Sequence, residues 1–157
     1  MRVLLRLLKS ELMVFLMAAT PLLELRASLP YGIFVLDMGY FHAFILSVLG
    51  SILPAPFILW FLPSVLSYLK KKRGFSTIAH WITRRTIKKS KKLETYKLWG
   101  LFLLVAIPLP GTGVWTGSAV AALLRIPFKD ALLTCFAGTI VAGMIILLLS
   151  YHATLMV

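Results

Sequence analysis

Ala106-Ile-Pro108-Leu-Pro110-Gly111-Thr112-Gly113-Val-Trp115-Thr116-Gly117 sits inside residues 98–124, a stretch without Lys, Arg, Asp or Glu. As one straight helix the stretch is about 40 Å long, well beyond the ~30 Å of bilayer hydrocarbon. Proline removes a backbone donor and clashes with the preceding turn, and glycine carries an entropic cost in a helix, so the cluster breaks the rod. Split between Pro108 and Gly113, the stretch gives two arms of roughly 16 Å, each reaching only mid-membrane. Amides and carbonyls freed at that depth need partners, so the break has to be shielded by protein or line a wet cavity. The expectation is a re-entrant hairpin; a kinked spanning helix is the alternative.

A second interrupted segment lies upstream, Ala18-Ala-Thr20-Pro21-Leu-Leu-Glu24-Leu-Arg26-Ala-Ser-Leu-Pro30-Tyr-Gly32. It divides in the same way, with Glu11 to Pro21 and Ala27 to Leu36 as arms. A shift of 88 positions lays Tyr40, Ala43, Gly50 and Ser51 on Phe128, Ala131, Gly138 and Thr139; a shift of 87 lays Pro21 on Pro108 and Pro30 on Gly117. Each break precedes a glycine-containing apolar span at nearly the same distance, Tyr40 to Leu62 and Ala131 to Tyr151. Chance likeness between apolar segments competes with an internal repeat. The junctions differ in charge, Asp37 after the first hairpin and Arg125 with Lys129 after the second, which places the halves in opposite orientations. The predicted fold is an all-α integral membrane protein of two inverted repeats, each a re-entrant helical hairpin followed by a transmembrane helix. One membrane domain spans 1–157, with residues 1–69 as first repeat, 70–97 as a basic cytoplasmic loop and 98–157 as second repeat.

Composition excludes an ordinary soluble domain. Of 157 residues 60% are hydrophobic, five are acidic, and the formal net charge is +12. Residues 38–69 and 131–157 also lack charges, and each exceeds the ~20 residues that cross a bilayer. Arg2, Arg6 and Lys9 before the apolar run from Leu12 to Leu23 have the look of a signal peptide. Glu24 and Arg26 stand where small cleavage-site residues belong, so the segment is read as mature structure. Those N-terminal cations sit awkwardly on an external end; either a longer first helix carries them across or they snorkel to the surface.

Lysines and arginines between Lys70 and Lys97 face one acid, Glu94, which by the positive-inside rule marks a cytoplasmic loop of a cell (inner) membrane protein. Ile78, Trp81 and Ile82 recur there at near-helical spacing, as in an amphipathic helix on anionic lipid, though a solvated topology signal explains the loop as well. Membrane orientation accounts for the charge, so no nucleic-acid partner is expected. Cys135 is alone, and His42, His80 and His152 are scattered without metal-ligand spacing, so no disulfide, metal, cofactor or catalytic group is predicted and the chain reads as no enzyme.

Glu24 and Arg26 are the charges hardest to place, since an ionisable group at membrane depth costs several kcal/mol, with estimates from about 2.5 upward. Arg26 offers a planar fork for phosphate or carboxylate, and Glu24 in a dry site is a candidate proton-coupling group. A mutual ion pair, or a cap on hairpin amides, is the structural alternative. The second break presents amides before a new half-helix, attractive to anions. Thr112, Thr116 and Ser118 add hydroxyls there, Trp115 a wall, and the glycines alternatively serve close packing. The candidate substrate-binding or coupling set is Glu24, Arg26, Pro30, Pro108, Pro110, Gly111, Thr112, Gly113, Trp115, Thr116 and Gly117.

At these residues, P-x-x-E-x-R-A-x-x-P-x-G from Pro21 to Gly32 and P-L-P-G-T-G-x-W-T-G from Pro108 to Gly117, the chain resembles the small multidrug export protein family over nearly its whole length. That architecture is similar to the DedA/VTT superfamily, which implies paired re-entrant hairpins and, among relatives, translocation of anionic lipids. Three functions follow as expectations: a small exporter, with proton coupling through Glu24; an anionic lipid flippase; or a non-transporting subunit docking a partner through Lys88, Lys89, Lys91 and Lys92. The expected partners are membrane lipids, a small amphipathic or anionic substrate, and a second copy of the chain in a homodimer, because four membrane elements scarcely enclose a pathway.

Overall fold

Every regular element in the described residues, 2–70, 91–109 and 111–156 of the computed structural model, is an α-helix. In chain order these are α1 (Arg2–Ala19), α2 (Glu24–Phe34), α3 (Tyr40–Ile52), α4 (Pro54–Lys70), α5 (Lys91–Ala106), α6 (Val114–Leu123) and α7 (Phe128–Met156). The expected amphipathic helix around Trp81, and Pro110, lie outside the described residues.

Both breaks form, between α1 and α2 and between α5 and α6. The 11 residues of α2 and 10 of α6 reach about 15 to 17 Å, half a bilayer core. Two longer helical stretches, Tyr40–Val65 and Phe128–Met156, are long and apolar enough to cross a membrane, yet only 39% and 33% of their most apolar windows are buried inside the protein. A soluble core helix hides most of its surface; here Trp60, Leu133 and Leu148 stand exposed.

The first span is not one rod. Leu53 forms a turn between α3 and α4, and its amide bonds the Gly50 carbonyl at 3.3 Å. Pro54 explains the interruption: it has no N–H to give the Gly50 carbonyl, but its fixed φ suits the first position of a new helix.

The first break is narrower than the sequence predicts. Pro30 and Gly32 lie inside α2, which already begins at Glu24 rather than Ala27. Leu29, Ser28 and Ile33 are buried on neighbouring helices, and the Ser28 hydroxyl bonds that of Ser47 on α3 at 3.0 Å. This anchoring outweighs the one backbone bond that Pro30 forfeits, which accounts for the helix continuing. Gly32 faces Ala43 and Val14, allowing α2 to lie close to α1 and α3.

Two apolar cores organise the packing. Leu101, Val105, Val114, Ala121, Ala131 and Cys135 join α5, α6 and α7, with Ala55 and Leu59 of α4. Leu25, Leu29, Ile33, Ala43 and Val48 join α2 and α3, with Ile146 of α7. Contact between α1 and α3 is matched by contact between α5 and α7, while α2 packs on α7 and α6 on α4. Small residues set these approaches. A Cβ on Gly50 would collide with the Phe15 carbonyl and with Ala18 of α1; one on Gly138 would lie 2.8 Å from Val105 Cβ and 3.1 Å from the Phe102 carbonyl of α5.

Gly50→Ala is therefore expected to lower stability by about 1–3 kcal/mol through overpacking against backbone. Gly100→Ala, in open space on α5, should be neutral or stabilising because alanine favours helix. Thermal unfolding in detergent checks the pair, and equal melting temperatures would contradict the packing argument.

Candidate functional site

Thr20 ends α1 by donating its hydroxyl to the Met17 carbonyl at 2.7 Å, and Pro21 cannot continue the helix. After the turn, Glu24 takes φ 49°, a left-handed backbone that costs a non-glycine residue about 1–2 kcal/mol. Its carboxyl is thereby aimed across the molecule at the second hairpin. Glu24 is 7% exposed, and its Oε1 accepts the Trp115 backbone N–H at 3.3 Å. A carboxylate at that place completes the first turn of α6, where amides lack helical partners and the dipole favours negative charge.

Arg26 serves the opposite end of the same break. One guanidinium nitrogen donates to the Leu109 carbonyl and the other to Thr112 Oγ1 at 2.7 Å. The carbonyls leaving α5 are the electronegative end, so cation and carboxylate each meet the partial charge that complements them. Glu24 and Arg26 do not pair with each other. The ion pair within 4 Å among the described residues joins Glu11 to His42 at 3.1 Å.

Inside the second break the hydroxyls serve the loop. Thr112 Oγ1 donates towards the Ile107 and Leu109 carbonyls, both at 2.9 Å, and Thr116 Oγ1 donates to the Gly111 carbonyl at 2.9 Å. Trp115 Nε1 donates to the Ala19 carbonyl at 3.2 Å, tying the second loop to the last residue of α1. Gly113, at φ 127°, lies directly under the Glu24 carboxylate, where a Cβ would overlap the acid.

A cleft of about 550 Å³ opens between the two breaks. Leu22, Leu23, Glu24 and Arg26 form one wall, and Pro108, Gly111, Thr112, Trp115 and Thr116 the other. Pro30 and Gly117 are not on it; Gly117 packs against Val105 and Leu101 of α5. Ser118 also turns away, into contact with Cys135 Sγ at 4.0 Å. Sequence reasoning missed Leu22 and Leu23 as cleft residues, although their place beside Pro21 in the broken turn signalled it. Arg26 has five N–H donors, of which those to Leu109 and Thr112 occupy two, leaving capacity for an anion.

Residues 24–145 match the family model described as "Putative small multi-drug export protein". The chain belongs to that family. The match begins at Glu24 and takes in Arg26, the second break, the first apolar span and the second span as far as Ile145. No curated protein and no solved structure matches the chain. Together with the two largely exposed apolar spans, membership of an export family supports a membrane protein with a transport role.

Gly113→Ala should disrupt the site more than Gly111→Ala. Both lose a positive φ, at 127° and 83°, but only the first puts a methyl group onto Glu24. The expected cost at Gly111 is the strain alone, about 1–2 kcal/mol. Gly113→Ala should exceed it and change Trp115 emission, read by thermal melts and fluorescence of a protein whose other tryptophans are replaced by phenylalanine.

Proposed function

We propose that the chain is a proton-coupled exporter of small amphipathic molecules, with the cleft between two re-entrant hairpins as a substrate site near the bilayer midplane. One observation carries the reading: an acid from one break caps the half-helix that begins at the other. While Glu24 is ionised, its charge complements the α6 N-terminus and holds the two loops together. Protonation removes that charge, weakens the bond to Trp115 and lets the hairpins separate. Proton uptake and exposure of the cleft are then one event. Apolar Leu22 and Leu23, the Trp115 ring and the spare donors of Arg26 suit a substrate with an apolar body and a polar or anionic end.

The halves are read as inverted repeats within a single membrane domain. Supporting this, Gly50 meets α1 as Gly138 meets α5, and α6 packs on α4 as α2 packs on α7. The residues closing the two hairpins, Asp37 and Arg125, share left-handed backbones with φ 51° and 52°. The orientation that goes with this has Asp37 outside, Arg125 and loop 70–97 in the cytoplasm of a cell (inner) membrane, and a homodimer enclosing the cleft. It is also the arrangement expected of a DedA-like relative.

A second reading, transfer of a phosphate-headed lipid, is favoured by Leu22, which is 93% exposed on the wall that carries Arg26. Acyl chains could follow that apolar rim while Arg26 holds the head group. Docking through the basic loop rests on Lys88 and Lys89, outside the described residues, and on Lys91 and Lys92.

In proteoliposomes Glu24→Gln should reduce pH-gradient-driven uptake of the amphipathic anion dansylglycine at least tenfold; unchanged uptake would remove the coupling role. Flip rates for anionic lipid well above those for zwitterionic lipid, with no dansylglycine transport, would favour the lipid reading instead. Thiol labelling tests the orientation: Cys135 is buried, so cysteines placed at Asp37 and Arg125 report on a quiet background. They should react from opposite faces, and reaction from the same face would end the inverted-repeat arrangement.

A further inference from the structure

Glu24 and Arg26 also line a second, much smaller cavity of about 10 Å³. By this measure one water needs on the order of 10–15 Å³, together with two to four polar partners. The polar side chains on this cavity are Glu24, Arg26, Ser51 of α3 and Thr139 of α7. Ser51 and Thr139 are 1% and 2% exposed. They occupy matched positions of the two halves, so both spans deliver a hydroxyl to one place. Thr139 Oγ1 gives its proton to the Cys135 carbonyl at 2.7 Å, so towards the cavity it can only accept. Glu24 spends Oε1 on Trp115, leaving acceptor capacity on its other oxygen. A site offering two acceptors and one adaptable hydroxyl matches a water molecule, which would donate to Glu24 and Thr139 and accept from Ser51.

We propose that Glu24, Ser51 and Thr139 bind a single structural water, and that Ser51 and Thr139 act through it as positioning residues for the coupling carboxyl. The inference deepens the coupling reading above and rests on it. The water gives Glu24 a hydrogen-bonding partner beyond the Trp115 and Val114 amides of the second break. It thereby fixes the carboxyl plane against both spans while the other oxygen caps α6. Arg26 is the remaining charged group on this cavity; α5, α6 and α7 present Val105, Gly113, Val114 and Ala142 there.

The test is infrared difference spectroscopy between acid and neutral pH on the full chain in liposomes. Wild-type protein should show a carboxyl C=O band that Glu24→Gln removes, and a water O–H band that moves on exchange into H₂¹⁸O. Ser51→Ala combined with Thr139→Val should abolish the water band and move the carboxyl band to higher wavenumber, as expected of a carbonyl released from a hydrogen bond. Thr139→Ser alone should retain both bands as in wild type, since it keeps the hydroxyl. Dansylglycine uptake in the double variant should fall several-fold. If Glu24→Gln removes no carboxyl band, the coupling reading itself fails. If that band is present but the double variant leaves it and the water band unchanged, the water site is wrong and the coupling reading survives.

Discussion

A helix interrupted among apolar side chains leaves amides at the start of one segment and carbonyls at the end of the other, and apolar surroundings offer neither a partner. In this chain the polar ends created by the second break are met by side chains from the first. Glu24 faces the amides that open α6 and Arg26 the carbonyls that follow α5, so each hairpin is incomplete without its counterpart. The same requirement explains why two charges persist in an otherwise apolar segment. Removing Glu24 would leave the Trp115 amide without its side-chain acceptor, a loss of about 1–3 kcal/mol, whereas the Leu109 carbonyl would keep Thr112 as its donor after the loss of Arg26.

Small residues make that meeting possible. Gly113 leaves space for the carboxylate, Gly50 and Gly138 let each span approach the long arm of its own hairpin, and Gly32 and Gly117 do the same for the short arms. Close approach in turn brings Trp115 within reach of the Ala19 carbonyl. The left-handed backbone of Glu24 is the local cost of this design, and the cap on α6 offsets it.

The interruption at Pro108 to Gly113 was legible because a charge-free run too long for one crossing contained its own helix breakers. The proposed register between Gly50 and Gly138 drew on a similar pattern, since both precede a hydroxyl residue at nearly the same distance from a break. The extent of the first break was not. Pro30 reads as an interruption in any one-dimensional pattern, and only the neighbours of Ser28 and Leu29 reveal why α2 runs through it. Nor could the partners of Glu24 and Arg26 be read. The ion pair and the cap were both open from sequence, and choosing between them requires knowing that residue 24 lies beside residue 115.

The two spans differ in continuity. Where the first is interrupted at Leu53, α7 is an unbroken helix of 29 residues, some 43 Å of rod against about 30 Å of bilayer hydrocarbon. Such an excess is absorbed by leaning, by projecting into the head groups, or by thickening the lipid around it. Because α2 and α5 both rest on α7, any lean is passed to both hairpins together, and bilayer thickness becomes part of what sets the angle at which they face each other.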